Sequence, residues 1–455
     1  MITRHFIDVV KDASTRRIHY RKTGSGPPLL MVHQSPRSSK EYEALMEKWS
    51  AHFTCIAPDT PGFGQSDPLV GHPEINEYAD AIIEFLDAIG IEKCAAYGFH
   101  SGGIILVTAV KRHPNRVTTL AVGGYAIWSK EEMALFSEKY LPEFHPSAYG
   151  EHLTWLWNRI LEQTWFFPWF ATDNEHRLSV AHDDPQRVDA VVREMLDAGN
   201  AYQAGYGAVL SAPRDIPAAD AKVPPCLISA YDGDPLQEHI DRLGEMPKSW
   251  SAQKVSTPED HQAVSLAHML EADRSARPRL NEAQDEGFVQ IETDHFAGLI
   301  HWQGSRDADE LILHAPASAI GSPVPRGSIA IDLPGHGLSD NWSGDPPSTW
   351  DEWQAVVDQA AQKLETESVV FADLPNGDAD RLYPDLSPDR FGNYLTKAWQ
   401  IVRAAEVFEP WYNADKNHAK AFDPIVLLPE QLARKHLDLL NARAAKQYHL
   451  ALKSR

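Results

Sequence analysis

The segment Ala96-Tyr97-Gly98-Phe99-His100-Ser101-Gly102-Gly103 constrains this chain more than any other. It follows a short apolar run, Cys94 to Tyr97, and opens a stretch with helical apolar spacing. A strand that turns sharply into a helix presses backbone against backbone, and glycine tolerates an approach that a Cβ would block. Gly98 and Gly102 stand two residues either side of His100, so the spacing puts His100 at the tip of the turn. Placing Ser101 at the tip would put Phe99 where the turn wants a small residue.

The first 125 residues alternate strand and helix patterns. Phe6 to Val10 and Arg17 to Arg21 read as a hairpin pair, and Pro28 to His33 as a buried strand ending in His33-Gln34-Ser35-Pro36. Glu41 to Ser50 is amphipathic; Phe53 to Pro58 is a strand leading into Asp59-Thr60-Pro61-Gly62-Phe63-Gly64-Gln65-Ser66-Asp67. Tyr78 to Ile89 has helical spacing, and Val117 to Val122 is a further strand. Such alternation predicts a mostly parallel, doubly wound sheet of the α/β class. Residues 126–212 interrupt it with tryptophan-rich helices, which predicts a cap. Strands then resume at Pro225 to Ala230, before Tyr231-Asp232-Gly233-Asp234-Pro235, and near Ser251 to Ser256, before Thr257-Pro258-Glu259-Asp260-His261.

The rest of the chain echoes the beginning, and internal repeats weigh more than single motifs. Ile300-His301-Trp302 echoes Ile18-His19-Tyr20, and Asp332-Leu333-Pro334-Gly335-His336-Gly337-Leu338-Ser339-Asp340 echoes Asp59 to Asp67. Within the helical insert, Gly150, Leu153, Trp157, Pro168, Trp169, Asp173, His176 and Tyr206 recur 242 residues later, without a gap, as Gly392, Leu395, Trp399, Pro410, Trp411, Asp415, His418 and Tyr448. The second copy has no glycine-framed turn and stops where the insert stops, so it is expected to be truncated and non-catalytic. The expected division is a complete domain over 1–275 with its cap at about 126–212, a linker at 276–286, and the repeat at 287–455. An incomplete sheet needs a cover. The expected covers are the first domain or a second subunit, the latter giving a homodimer through the truncated repeat.

Composition narrows the partners. The 455 residues carry a net charge of -22, from Asp+Glu 64 against Lys+Arg 42. That balance argues against nucleic acid and anionic membranes. The three cysteines, Cys55, Cys94 and Cys226, read as buried free thiols of a reducing compartment. The amino terminus does not read as a signal peptide and no apolar stretch approaches a membrane span, so a soluble, cytoplasmic protein is expected.

The Asp59 to Ser66 turn, the Gly98 to Gly103 turn and Asp234-Pro235 together resemble the α/β-hydrolase fold superfamily, in which the strand–turn–helix is the nucleophile elbow. The resemblance covers about 1–275 as a complete domain and about 286–455 as a degenerate one. His33-Gln34-Ser35-Pro36 departs from the family's usual His-Gly-x-Pro, and His100 departs from its usual serine. The resemblance is specific for fold and weak for substrate, because this fold hosts many chemistries.

The family's chain order of nucleophile, acid and histidine implies Asp234 as the acid and His261 as the histidine. The alternative for Asp234 is a helix cap, and for His261 a surface position. His100 has three readings. It is itself the base or nucleophile, since neutral imidazole suits proton transfer near pH 7; or a shifted turn makes Ser101 the nucleophile; or the elbow is structural and silent. By resemblance, the backbone N–H groups of Ser101 and Ser35 form the oxyanion hole, and His33 and Gln34 line the site. Trp155 and Trp165 lack aromatic matches in the second copy, which makes them the expected pocket tryptophans; Trp157 and Trp169 are matched and read as structural. The spacing of His33, His100 and His261 is no metal signature, and no metal or other cofactor is expected. The expected function is hydrolysis of a small, mainly apolar, neutral ester or lactone, or C–C or C–O cleavage by a lyase. The rival is a silent ligand-binding or scaffolding protein.

Overall fold

The computed structural model describes residues 1–11, 14–271, 281, 283–321 and 323–455. It divides into two compact units, Met1–His145 with Asn158–Glu282, and Pro146–Trp157 with Ala283–Arg455. The boundary near 282 lies inside the expected linker, most of which falls outside the described residues. The assignment of 146–157 differs from expectation, since this part of the insert belongs to the second unit.

The first unit is built on eight strands: β1 (Thr3–Lys11), β2 (Ser14–Thr23), β3 (Pro28–Val32), β4 (Thr54–Pro58), β5 (Cys94–Phe99), β6 (Val117–Gly123), β7 (Cys226–Tyr231) and β8 (Trp250–Val255). Their order is β1-β2-β4-β3-β5-β6-β7-β8. The hairpin β1–β2 is antiparallel, β2–β4 is antiparallel, and β3 through β8 pair in parallel. β3 and β4 are buried along their whole length, as expected of parallel strands covered on both faces. The helices are α1 (Glu43–Trp49), α2 (Ile75–Ala88), α3 (Ser101–Arg112), α4 (Lys130–Lys139), α5 (Glu151–Gln163), which starts in segment 146–157 of the second unit, α6 (Pro185–Ala198), α7 (Ala201–Leu210) and α8 (Pro258–Leu270). In α2, Ile75, Tyr78, Ala79, Ile82, Ile83 and Leu86 form one buried stripe, and Glu74 with Glu77 closes a capping box at its start. Nearly all of α3 is buried, so it lies against the sheet along its length.

The second unit carries β9 (Glu286–Glu292), β10 (Ala297–Gly304), β11 (Glu310–Leu313), β12 (Ser328–Ile331) and β13 (Ser368–Phe371), ordered β13-β11-β12-β10-β9. This order, with its senses of pairing, is that of β5-β3-β4-β2-β1. The echoed sequences have a common structural cause. Asp59 Oδ2 accepts from His19 Nδ1 at 2.8 Å, and Asp332 Oδ2 accepts from His301 Nδ1 at 2.8 Å. Each carboxylate also ties down its own turn, from Ser39 N and Gln65 N in one case and Ile320 N and Leu338 N in the other. Burial would raise the Asp59 carboxyl, but the His19 charge and hydrogen bond overcome it and hold the group well below the usual carboxylate range.

The helices of this unit include α9 (Trp350–Leu364), α10 (Ala379–Leu382), α11 (Asn393–Ala405), α12 (Pro429–Asn441) and α13 (Ala445–Ser454). Segment 146–157 meets α11 reciprocally. Trp157 Nε1 donates to Arg390 O at 3.1 Å, and Trp399 Nε1 donates to Ala148 O at 3.3 Å. Among the described residues, no helix is long and apolar enough to cross a membrane. Cys55, Cys94 and Cys226 are free and buried.

Candidate active site

The turn after β5 follows the register read from its glycines. A Cβ on Gly98 would lie 2.6 Å from the Gly102 carbonyl carbon, and one on Gly102 would lie 1.9 Å from Val32 O. His100 takes the tip with φ 46° and ψ -112°. Such a conformation is costly for a residue with a side chain and marks a constrained site. Ser101 is the first residue of α3, not the tip.

Asp234 follows β7 and faces His100, with His100 Nε2 to Asp234 Oδ1 at 3.0 Å. The Leu236 amide donates to the same oxygen at 2.8 Å, so Asp234 also caps its own turn. Its second oxygen, Oδ2, is buried without a hydrogen-bond partner. Burial alone would raise the Asp234 carboxyl; the His100 charge, the His100 hydrogen bond and the Leu236 amide outweigh it, and the group lies below its ordinary value. The carboxylate accepts from Nε2–H, which leaves Nδ1 as the basic nitrogen of His100. Nδ1 has no hydrogen bond among the described residues, and the imidazole keeps 21% of its side-chain surface exposed. Phe99 stacks on it with centroids 4.1 Å apart.

Gly124 makes room for this pair, and the sequence reading missed it. Its φ is +55°, and a Cβ there would lie 2.4 Å from His100 Cδ2 and 2.7 Å from Asp234 Oδ2.

His261 does not complete a triad. It sits in the first turn of α8, only 2% exposed. Ser229 Oγ holds its Nδ1 at 2.8 Å and Tyr97 Oη holds its Nε2 at 2.9 Å, and no hydrogen bond joins it to Asp234. Burial pushes it down to about 4, against the pull of the Asp234 charge. Ser229 and Tyr97 were not foreseen, because an aromatic and a serine inside strands read simply as core.

The oxyanion loop is partly closed by a side chain. Ser35 N donates to Ser101 Oγ at 3.0 Å, so one expected donor is satisfied internally. The Ser101 N–H, in the first turn of α3, has no acceptor among the described residues, as befits a helix start. His33 is buried, its Nδ1 donating to Gln34 O at 2.9 Å and its Nε2 accepting from Thr60 N at 2.9 Å. Gln34 is tied through its backbone and side chain to the Glu41 carboxylate. These contacts hold both residues in the loop. Trp165 is half-buried and gives its indole N–H to His182 O at 2.8 Å. Trp155 lies in segment 146–157, which groups with the second unit.

Residues 27–207 match the family model described as alpha/beta hydrolase fold, a span that runs from β3 through the elbow into α7. That span has the α/β-hydrolase fold. Asp234 and His261 lie beyond it. Haloalkane dehalogenase 2 of Mycobacterium tuberculosis is 34% identical over 125 residues, covering 27% of this chain and 44% of the dehalogenase. The 2-(acetamidomethylene)succinate hydrolase of Mesorhizobium japonicum is 34% identical over 117 residues, covering 26% of this chain and 42% of that enzyme. The chain thus spans less than half the length of these curated relatives. Among solved structures, a thermophilic esterase from Thermogutta terrifontis aligns over 57% of this chain and 96% of its own, with TM-score 0.44 and 18% identity. The enol-lactonase from Burkholderia xenovorans aligns over 55% and 95%, with TM-score 0.41 and 20% identity.

Proposed function

We propose that the first unit is a hydrolase that uses His100 as a general base, oriented by Asp234, on a small ester or lactone. The observation that carries this reading is the His100–Asp234 hydrogen bond at the elbow tip. Water bound at Nδ1 gives its proton to the imidazole while its oxygen attacks the carbonyl carbon. The buried Asp234 carboxylate stabilises the imidazolium. The oxyanion meets the Ser101 N–H at the start of α3. Collapse breaks the carbonyl carbon–oxygen bond of the ester, and the Nδ1 proton passes to the leaving alkoxide. Acid and alcohol leave, and the imidazole is neutral again. A positioned base of this kind supplies about 10²–10⁴-fold. The same base could take a C–H proton, which keeps the lyase variant within this reading. The relatives' names span a haloalkane and a succinate derivative and favour no single substrate charge. Turnover of p-nitrophenyl acetate and of a small lactone, compared between the natural protein and His100→Ala, tests the reading. Equal rates in both would overturn it.

A second reading, a silent fold, draws support from two observations. The Ser35 N–H is consumed by Ser101 Oγ, and His261 is sealed between Ser229 and Tyr97. It expects no turnover of either substrate beyond the buffer rate.

The second unit reads as a truncated, non-catalytic repeat of the same fold. Its strand order and its His301–Asp332 pair support this, and among its described residues no glycine-framed elbow follows β13. β13 pairs on one side only. A second copy of the chain is the proposed occupant of that edge, and light scattering of the purified protein decides between dimer and monomer.

A further inference from the structure

The second unit holds a cavity of about 680 Å³, within the range of small-molecule sites. It is an open cleft beyond the carboxyl ends of β11 and β13, lined by the chain after each strand and by α11 and α12. Its walls are mainly apolar and aromatic, with Ile320, Leu382, Ile401, Val402, Phe408 and Trp411 among them. The geometry points to a binding site here for a mainly apolar molecule that carries one amino group, with its ammonium on Asp438.

Asp438 is the reason for that charge. It lines the cavity and is only partly exposed, and among the described residues it has no hydrogen bond or ion pair. Three other carboxylates behind strand ends are engaged. Asp59 and Asp332 each hold a histidine and their own turn, and Asp234 holds His100. A half-buried carboxylate without a partner is an unfavourable arrangement that a cation relieves. Burial pushes this carboxyl up to about 6. The cations nearby act on it through space, Arg434 before Lys435, without bonding to it. Lys435 pairs with Glu406 at 2.5 Å, and Lys420 gives its ammonium to Ala405 O at 2.9 Å. Arg434, one turn before Asp438 on α12, is exposed and forms no ion pair with it. Asp373, Glu406 and Glu409 also line the cavity, so its lining holds four acids against Lys420, Arg434 and Lys435. Phe408 and Trp411 are in the same lining, and an aromatic ring attracts a cation placed over its face. The absence of an elbow residue here removes catalysis but leaves the space beyond the strands.

The test uses the full chain at pH 7.5 and three probes of similar size, 2-phenylethylamine, 2-phenylethanol and 3-phenylpropionate, by titration calorimetry and thermal shift. The amine is expected to bind at least tenfold more tightly than the other two. Asp438→Asn is expected to lose at least tenfold in amine affinity, and Ala405→Trp, which fills the cavity, to abolish binding of all three. His100→Ala is expected to bind the amine unchanged, which separates this site from the hydrolase reading. Equal binding of amine and alcohol, or no binding of the amine at all, would overturn the proposal. So would an amine affinity that survives Asp438→Asn, or one that disappears in His100→Ala.

Discussion

His100 Nε2 lies 3.0 Å from Asp234 Oδ1, so the elbow tip is itself the partner of the acid. The side chain of Asp234 is fully buried, and its second oxygen has no donor. His100→Ala therefore does more than remove a base. From the sequence alone the variant is expected to melt like the natural protein. The structure changes that expectation, since the variant strands a buried carboxylate. The expected stability loss is about 1–3 kcal/mol, read by urea unfolding at pH 7, alongside a rate loss of about 10²–10⁴-fold. The sign follows from Asp234. Its native value lies below the unfolded one, so its contribution is present above the unfolded value and is lost as pH falls. A pH-stability curve for His100→Ala that overlays the natural one would refute this coupling.

Gly124→Ala tests the space that the pair occupies. The new Cβ would meet His100 Cδ2 at 2.4 Å in a left-handed backbone. A strain of about 1–2 kcal/mol is expected from the backbone alone, with a loss of turnover comparable to that of His100→Ala. An active, fully stable Gly124→Ala would mean that the imidazole does not need this place.

Ser101 Oγ accepts from Ser35 N and is buried, with no hydrogen bond to a histidine. A fluorophosphonate is therefore expected to leave Ser101 unmodified by intact mass. Removing a true serine nucleophile lowers kcat by about 10⁶-fold, whereas Ser101→Ala is expected to keep turnover within about tenfold of the natural rate. A covalent adduct on Ser101 would restore the shifted-turn reading.

His261 gives the acid limb of stability a definite sign. Burial holds it at about 4, so the folded state refuses a proton that the unfolded chain takes up below pH about 6.5. Its contribution is complete above the unfolded value and is lost as pH falls toward the native one. His261→Phe is expected to flatten the slope of unfolding free energy between pH 6 and 4.5 by about 1.4 kcal/mol per pH unit. An unchanged slope would place the titration elsewhere.

Asp59→Asn removes a charge that holds His19, Ser39 and Gln65. A loss of about 3–5 kcal/mol is expected, measured by urea unfolding. The matched Asp332→Asn is expected to destabilise the second unit similarly. A cost below about 1 kcal/mol for Asp59→Asn would show that the network is ornamental.

Much of the fold was legible because its signals are local. Gly98 and Gly102 specify the elbow through backbone approach, and Gly62 and Gly64 specify the turn after β4 through positive φ. The period of 242 was legible because the echoed residues are structural, Trp157 and Trp399 above all, and the separate echo of His19 and Asp59 in His301 and Asp332 because each pair holds a turn. The site was less legible. His100 and Asp234 are 134 residues apart, and nothing in either segment states that they meet. Gly124 has no side chain to announce its role, and Ser229 and Tyr97 capture His261 from two different strands. The sequence by itself determined the alternation of strand and helix, the glycine frame around His100 and the echo of residues 242 apart, because backbone geometry and burial periodicity are written residue by residue. The tertiary structure alone decided which histidine holds the acid. Hydrogen-bond partnership depends on ångström distances between side chains that only the packed sheet brings together.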